Sequence, residues 1–129
     1  MSEENVERLR EMYGRRKLAE IAESLHPEAE MHQARAIPDT DDYYGREEVV
    51  RGISLWLEEW DEFHFIPEEV IDLGERAFMR VCLSGRAKAS GIQLDRVVFH
   101  VWTFRDGMPW RCDVYFEEEP ALEAAGLSE

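Results

Sequence analysis

The amino-acid sequence predicts an α+β domain in which helices cover one face of a curved antiparallel sheet. Three observations support this fold class. Apolar residues recur at helical spacing through the first half of the chain, strand-like runs separated by turn signals fill the second half, and 129 residues is the length of one domain. We therefore expect a single domain over residues 1–129, with a core that needs neither metal nor disulfides.

Two helices are predicted near the N-terminus. Their apolar stripes consist of Val6, Leu9, Met12 and Tyr13, and of Leu18, Ile21, Ala22 and Leu25. A break around Gly14 separates them. Pro27 ends the second helix, because proline has no amide hydrogen to donate inside a helix.

A third, longer helix is predicted from Arg46 to about Trp60. Val49, Ile53, Trp56 and Trp60 fall on one stripe of it. An extended piece at 29–34 and a polar loop, IPDTDDYYG, precede this helix.

Four strand-like runs follow, near 62–72, 76–89, 93–105 and 109–117. Turn signals divide them, and Asp106-Gly107 is the strongest hairpin signal. Strands joined in series by hairpins predict an antiparallel meander. Pro67 indicates an edge position or a bulge in the first run. A short helix over 120–125, ended by Gly126, closes the chain.

The run RVVFHVWTF is apolar on both faces. Val98, His100, Trp102 and Phe104 alternate with Val97, Phe99, Val101 and Thr103. A strand with one wet face would alternate apolar and polar residues, so this strand should be covered on both sides. Helices would provide one cover. A second copy of the chain is the expected second cover, which predicts a homodimer through the outer sheet face.

The charge balance argues against two classes of partner. Fifteen basic residues stand against 29 acidic ones, for a net charge of −14. Nucleic-acid backbones and anionic membranes would be repelled on average, so neither partner is expected. The N-terminal segment has no apolar signal-type run, which predicts a cytoplasmic protein. Cys82 and Cys112 are then expected to be reduced thiols, with a disulfide as the alternative.

Several local strings resemble a known family. Two helices lead into LHPEAEM, a Gly opens the long helix in YGREEVVRGISLWLEEW, and the chain ends in VYFEEEPALEAAGL. This arrangement resembles the SnoaL-like branch of the NTF2-like superfamily over nearly the whole chain. The resemblance implies a cystatin-like, cone-shaped barrel: a strongly curved antiparallel sheet wrapped on three N-terminal helices, with a pocket at the wide end. It also implies dimers, and either ligand binding or cofactor-free catalysis.

The ketosteroid isomerase members of this superfamily use a tyrosine, a carboxylate base and a protonated aspartate. By resemblance, the tyrosine position corresponds to Tyr13, the base position to Gln33 and the acid position to His100. Gln33 cannot take a proton at neutral pH, and the acid is replaced. This counts against steroid isomerase chemistry.

The polyketide cyclase members use an acid/base aspartate from a late strand, and Asp113 is the nearest match. Simple alternation puts Asp113 on the face opposite Cys112 and Phe116, unless a bulge shifts the register. An ion pair with Arg111, or with an arginine on a neighbouring strand, is the alternative role.

His100 is the leading candidate for chemistry. Its apolar surroundings should lower its pKa and keep the imidazole neutral. A neutral imidazole can donate a hydrogen bond or accept a proton. The alternative is a buried structural histidine. His32 and Gln33 are expected near the pocket mouth, with a partly exposed strand histidine as the alternative for His32.

The remaining expected ligand contacts are apolar or sulfur-containing: Trp56, Trp60, Met79, Val98, Trp102, Cys112 and Phe116. Core packing is the alternative for these residues. No metal-binding or nucleotide-binding motif is present, and the DTDD segment lacks the glycine and glutamate of a calcium loop. We therefore expect no cofactor and no metal.

Two functions remain open at this point. The first is binding of a small, mainly apolar organic molecule, with proton transfer by His100, Asp113 and Tyr13 if the protein is an enzyme. The second is a non-catalytic ligand-binding or dimeric assembly domain.

Overall fold

The computed structural model describes residues 2–15, 17–33 and 42–127. The helices are α1 (Ser2–Gly14), α2 (Leu18–Ser24), α3 (Arg46–Glu58) and α4 (Glu118–Ala125). The strands are β1 (Glu30–His32), β2 (Tyr43–Tyr44), β3 (Trp60–Asp72), β4 (Arg76–Ala87), β5 (Gln93–Arg105) and β6 (Met108–Tyr115). The predicted α+β class, with helices in the first half and a meander in the second, is confirmed.

The strands form one sheet in the order β2-β1-β6-β5-β4-β3. The sheet is mixed rather than fully antiparallel, because β1 runs parallel to β6. It is also open, with β2 and β3 at its two edges. The antiparallel arrangement expected from the sequence holds for β3 to β6, and the parallel pairing of β1 is a feature that the sequence did not indicate. A three-residue strand has no sequence pattern that could indicate which neighbour it pairs with.

The four strand-like runs correspond to β3 to β6, which pair as antiparallel neighbours. Asp106 and Gly107 join β5 to β6 with φ values of 54° and 73°, as a tight hairpin requires. Pro67 lies on an edge strand beside a register shift between Pro67 and Glu69. Such irregularities bend a strand and help the sheet to curve.

The third helix is shorter than predicted, and a short strand lies where a loop was expected. α3 ends at Glu58, and Trp60 is the first residue of β3, where it pairs with Ala87. Tyr43 and Tyr44, expected in a loop, form β2 against β1. The rest of the predicted polar loop and the end of the extended piece, at 34–41, lie outside the described residues.

The main core fills the concave face of the sheet. Helical residues such as Leu9 and Val49 pack there against Met79, Val81 and other inward-facing residues of β4 and β5. Burial of large aliphatic side chains stabilises the fold by roughly 1.5–3 kcal/mol each.

The convex face carries a second, smaller core. Phe78, Phe99 and Val101 are buried there by Ala121 and Ala125 of α4. Arg80 of β4 anchors this helix through an ion pair with Glu118, with 2.9 Å between its Nη2 and the carboxylate. The outer face of β5 was expected to be covered by a second copy of the chain. At Phe99 and Val101 it is covered by the chain's own helix α4.

Candidate functional site

A cavity of about 100 Å³ lies between the helices and the concave face of the sheet. Its lining comes from both layers: Met12, Tyr13, Arg15, Ile21, Leu25, Met31, Val49, Ile53, Phe65, His100, Trp102 and Cys112. The helical stripes supply most of the apolar lining, because the same side chains that face the sheet also border this space. The cavity is therefore a gap in the main core, with a few polar groups in its wall.

Three of the polar groups form one hydrogen-bonded chain. Nε1 of Trp102 donates to the Tyr13 hydroxyl over 2.8 Å. The same hydroxyl lies 2.6 Å from Nδ1 of His100. His100 and Trp102 stand two residues apart on β5, so strand alternation presents both side chains to α1.

The donors and acceptors indicate where the protons are. Since the indole of Trp102 can only donate, the Tyr13 oxygen accepts from it, and the Tyr13 proton needs its own acceptor. Nδ1 of His100 is that acceptor within the described part of the chain. The imidazole then carries its proton on Nε2, which leaves an N–H group available to a molecule in the cavity.

Burial keeps both groups of this pair neutral. Desolvation lowers the pKa of His100 from 6.5 to about 4. Desolvation, supported by the proximity of Cys112, raises the pKa of Tyr13 well above 10, against a smaller lowering effect of the Trp102 hydrogen bond. At neutral pH the pair is therefore a phenol bonded to a neutral imidazole.

Cys112 contributes a thiol rather than a thiolate. Burial, followed by the nearby charge of Asp113, raises its pKa well above 9. A protonated thiol is a weak nucleophile, so Cys112 acts in this wall as a small apolar group.

Arg15 is the one cation among the described lining residues. Its Nη1 lies 3.2 Å from Oε1 of Glu20, and 35% of its side chain is exposed. Its Nε is buried and has no hydrogen-bond partner among the described residues. No carboxylate is part of the described lining, so a base of the aspartate or glutamate type is missing from it.

A profile of the SnoaL-like domain matches residues 6–111, which is most of the chain and includes every residue of the cavity lining except Cys112. The chain belongs to the SnoaL-like family. The resemblance seen in the sequence is thereby confirmed. No curated protein matches the chain.

Solved structures similar to this SnoaL-like chain show the same fold. An NTF2-like protein of unknown function from Burkholderia pseudomallei is 23% identical, with a TM-score of 0.77 and 96% of each chain covered. TerC, co-crystallised with polyporic acid, is 19% identical, with a TM-score of 0.76 and coverage of 88% of this chain and 92% of TerC.

A third similar structure is a protein of ketosteroid isomerase-like fold from Catenulispora acidiphila, in complex with trimethylamine. It is 11% identical, with a TM-score of 0.75 and coverage of 98% of this chain and 95% of the other. At these identities the likeness establishes the fold and leaves the ligand open. The cone-shaped NTF2-like architecture is the one expected from the sequence.

The SnoaL-like chain brings four of the expected site residues together in the cavity wall: Tyr13, His100, Trp102 and Cys112. Met79 and Val98 face the same side of the sheet but are fully buried in the core, at 0% and 1% exposure, outside the lining. Phe116 packs against the edge of this core, with the Arg96 guanidinium 4.3 Å from its ring centre. These three residues are packing in this structure.

Trp56 and Trp60 do not line the cavity. Their rings lie 5.3 Å apart and both contact Phe63, forming an aromatic cluster where α3 meets β3. Trp56 is 38% exposed. The helical stripe placed these residues beside the pocket, but the chain leaves the helix before Trp60.

His32 and Gln33 lie at the β1 edge of the sheet, outside the lining. His32 is held between two carboxylates, with Nε2 2.9 Å from Glu30 and Nδ1 3.1 Å from Asp42. The backbone N–H of Gln33 donates to Oδ1 of the same Asp42. Both ring nitrogens of His32 thus have partners at this edge of the sheet, and its side chain is 18% exposed.

Asp113 is not part of the cavity. It is opposite Val101 in the β5–β6 register, on the convex face, while Cys112 is opposite Trp102 on the concave face. Arg111 holds it, with 3.0 Å between Nη2 and Oδ1. Grouping Asp113 with His100 and Tyr13 in one site is therefore corrected: no bulge shifts the register at 111–113, and alternation turns the carboxylate outward.

Several lining residues were not singled out from the sequence as ligand contacts. Five of them belong to the predicted helical stripes, whose spacing indicates that they face inward: Met12, Ile21, Leu25, Val49 and Ile53. Arg15 had no signal, because a charged residue between two helices is normally solvated.

The described residues contain no group of three histidine, cysteine, aspartate or glutamate side chains that could hold a metal. No helix in the described part of the chain is long and apolar enough to cross a membrane. A larger open groove of about 700 Å³ lies at the start of α3. Four charged side chains border it, Arg46, Glu47, Glu48 and Arg51, so it suits an apolar molecule less well than the interior cavity.

Proposed function

We propose that this SnoaL-like protein binds a small, mainly apolar organic molecule in the interior cavity and donates a hydrogen bond to it from Nε2 of His100. The observation that carries the proposal is the Tyr13–His100 hydrogen bond in the wall of a mainly apolar cavity. Apolar pockets with a few convergent polar groups are the usual form of small-molecule sites.

The size of the cavity supports a ligand of about one ring. An engineered apolar cavity of roughly 150 Å³ binds benzene. The cavity here is about 100 Å³ and is bordered by Met12 and Met31, whose flexible side chains adapt to a ligand more readily than branched ones. A single-ring or branched aliphatic molecule would fit once these methionine side chains move to enlarge the space.

The protonation state of His100 decides which chemistry suits the site. With a pKa of about 4, the imidazole is a weak base at neutral pH and a good neutral donor. A carbonyl or hydroxyl oxygen of the ligand would accept from Nε2–H, and Tyr13 would hold the ring orientation through Nδ1. The geometry therefore supports binding and polarisation of an oxygen more than abstraction of a proton.

Cofactor-free acid/base catalysis of the isomerase or cyclase type is the second candidate. It is favoured by two titratable groups, Tyr13 and His100, that share one hydrogen bond inside one cavity. It lacks a carboxylate base in the described lining. Any such reaction would need the ligand itself, or solvent, to provide the base.

A matched pair of ligands tests the binding proposal. Acetophenone carries an acceptor oxygen and ethylbenzene does not, while their apolar bodies are nearly the same. We expect the wild-type protein to bind acetophenone with a Kd of about 1 mM or below, measured by NMR titration. His100→Phe should weaken acetophenone binding about fivefold or more and change ethylbenzene binding little.

His64→Phe is the matched control, because His64 lies on β3 outside the cavity lining. Absence of binding of both molecules to the wild-type protein would contradict the proposal of an apolar ligand site. Equal losses of both ligands in His100→Phe would show that His100 shapes the cavity without donating to the ligand.

A homodimer through the outer sheet face remains our proposal for the assembly. Part of this face is covered by α4, but Ile66, Cys82 and Val97 form a row across β3, β4 and β5 beside it. Ile66 is 47% exposed. A dimer should sediment as such at micromolar concentration and dissociate with Ile66→Glu; a wild-type monomer at that concentration would contradict it.

A further inference from the structure

Arg15 carries a feature that the proposed function does not use. The side chain lines the cavity and is also 35% exposed, so it runs from the cavity wall to solvent. One edge of its guanidinium is occupied: Nη1 pairs with Glu20 at 3.2 Å. The buried Nε has no partner among the described residues.

An unpartnered buried donor is costly. Leaving such a group without a hydrogen bond destabilises the folded state, and a charged group more than a neutral one. In folded proteins most buried polar atoms have partners, so an exception needs a physical explanation. A ligand that supplies an acceptor to Nε would provide one, once the side chains that cover this atom move aside.

The guanidinium geometry indicates the chemical class of that acceptor. Nε and Nη2 form one planar edge with two parallel N–H groups, which matches the two oxygens of a carboxylate. Glu20 contacts Nη1 and leaves this edge without a described partner. The 3.2 Å distance from Nη1 to Glu20 shows that the guanidinium already forms an ion pair with one carboxylate on its other side.

We propose that the ligand is a small monocarboxylate with an apolar body. Its carboxylate would bind the Nε–Nη2 edge of Arg15, and its body would lie among the apolar lining residues such as Met12, Ile21 and Leu25. This inference rests on the proposed function, because it assigns a substrate class to the same cavity.

A single negative charge suits this site better than a double one. Glu20 already neutralises part of the Arg15 charge, and the chain as a whole has a net charge of −14. A phosphate monoester would bring nearly two negative charges to a single, shared cation. The negative charge of the whole chain repels anions at long range. Recognition of the carboxylate must therefore come from its hydrogen bonds to Arg15.

Benzoate and acetophenone test the assignment, because they have the same number of non-hydrogen atoms and differ in charge. The wild-type protein should bind benzoate more tightly than acetophenone, and phenyl phosphate more weakly than benzoate, by NMR or calorimetric titration. Arg15→Met should raise the benzoate Kd about tenfold and the acetophenone Kd by a clearly smaller factor.

Arg10→Met is the matched control, since Arg10 is an exposed arginine of α1 outside the lining and its loss makes the same change in net charge. Circular dichroism checks that each variant folds. Arg15→Lys keeps the charge but not the planar edge, so it should recover only part of the benzoate affinity.

The outcomes separate the two proposals. If acetophenone binds and benzoate binds no better in wild type than in Arg15→Met, the carboxylate assignment is wrong and the apolar site stands. If phenyl phosphate binds as tightly as benzoate, the monocarboxylate class is wrong. If none of the three probes binds, both the site and the assignment are overturned.

Discussion

The Tyr13 hydroxyl lies 2.6 Å from Nδ1 of His100 and joins the first helix to the fifth strand inside the core. The two residues are 87 positions apart in the chain. Because Trp102 donates to the same oxygen, the hydroxyl satisfies two polar groups that would otherwise be buried without partners. This contact is both a structural link between the layers and the polar feature of the cavity.

Tyr13→Phe should destabilise the fold. The substitution removes one oxygen and leaves both Nε1 of Trp102 and Nδ1 of His100 without their described partner, at a cost of about 1–3 kcal/mol. Urea unfolding followed by fluorescence measures this free energy. Tyr44→Phe, at an exposed tyrosine, is the control and should change stability by less than about 0.5 kcal/mol. Equal effects of the two variants would refute the structural role of the Tyr13 hydroxyl.

His100 should make folding stability depend on pH. Its pKa is about 4 in the folded protein and 6.5 as an ordinary histidine, so between these values the unfolded chain binds a proton that the folded chain does not. Stability contributed by this group is complete above pH 6.5 and falls by up to about 3 kcal/mol as the pH drops to 4.

The measurement compares unfolding free energies at about pH 7 and pH 4.5. The loss of stability on acidification should be about 2 to 3 kcal/mol smaller in His100→Gln than in wild type, because glutamine does not titrate. His64→Gln, on the edge strand β3, should follow the wild-type profile. An unchanged profile in His100→Gln would contradict the buried neutral state.

The two cysteines should differ in reactivity. Cys112 is buried at 1% exposure, and burial raises its pKa well above 9. Cys82 is on the convex face and partly exposed, with a pKa raised by desolvation and by Glu68 and Asp95. A thiol reagent should therefore modify Cys82 alone in the native protein and both cysteines in denaturant. Peptide mass mapping identifies the site, and native labelling of Cys112 would show that the cavity wall opens.

Asp113→Asn should leave ligand binding intact. The carboxylate faces away from the cavity and pairs with Arg111, so its loss should change the acetophenone Kd less than about twofold. The ion pair itself should contribute at most about 1 kcal/mol to stability, because both side chains are partly exposed. If Asp113→Asn weakened acetophenone binding as much as His100→Phe does, Asp113 would have to be part of the ligand site.

The sequence predicted the order of elements and the inward faces of the helices and strands for a physical reason. Helical and strand periodicity fix which side chains face inward, so Tyr13, His100 and Trp102 could be placed on inward faces before any coordinates. The same alternation turned Asp113 away from Cys112, and the register confirms it. Asp113 was grouped with His100 and Tyr13 because of the family resemblance. That grouping disagreed with the alternation of side chains along the strand.

Other features depended on contacts distant in sequence. The parallel pairing of β1 with β6, the cover that α4 gives to Phe99 and the position of Arg15 in the cavity wall join segments far apart in the chain. The sequence by itself determined the α+β class, the SnoaL-like resemblance and the inward faces, because these follow from local spacing. Only the tertiary structure decided which inward residues border empty space and which hydrogen-bond partner each buried polar group finds, since both depend on how separate layers pack together.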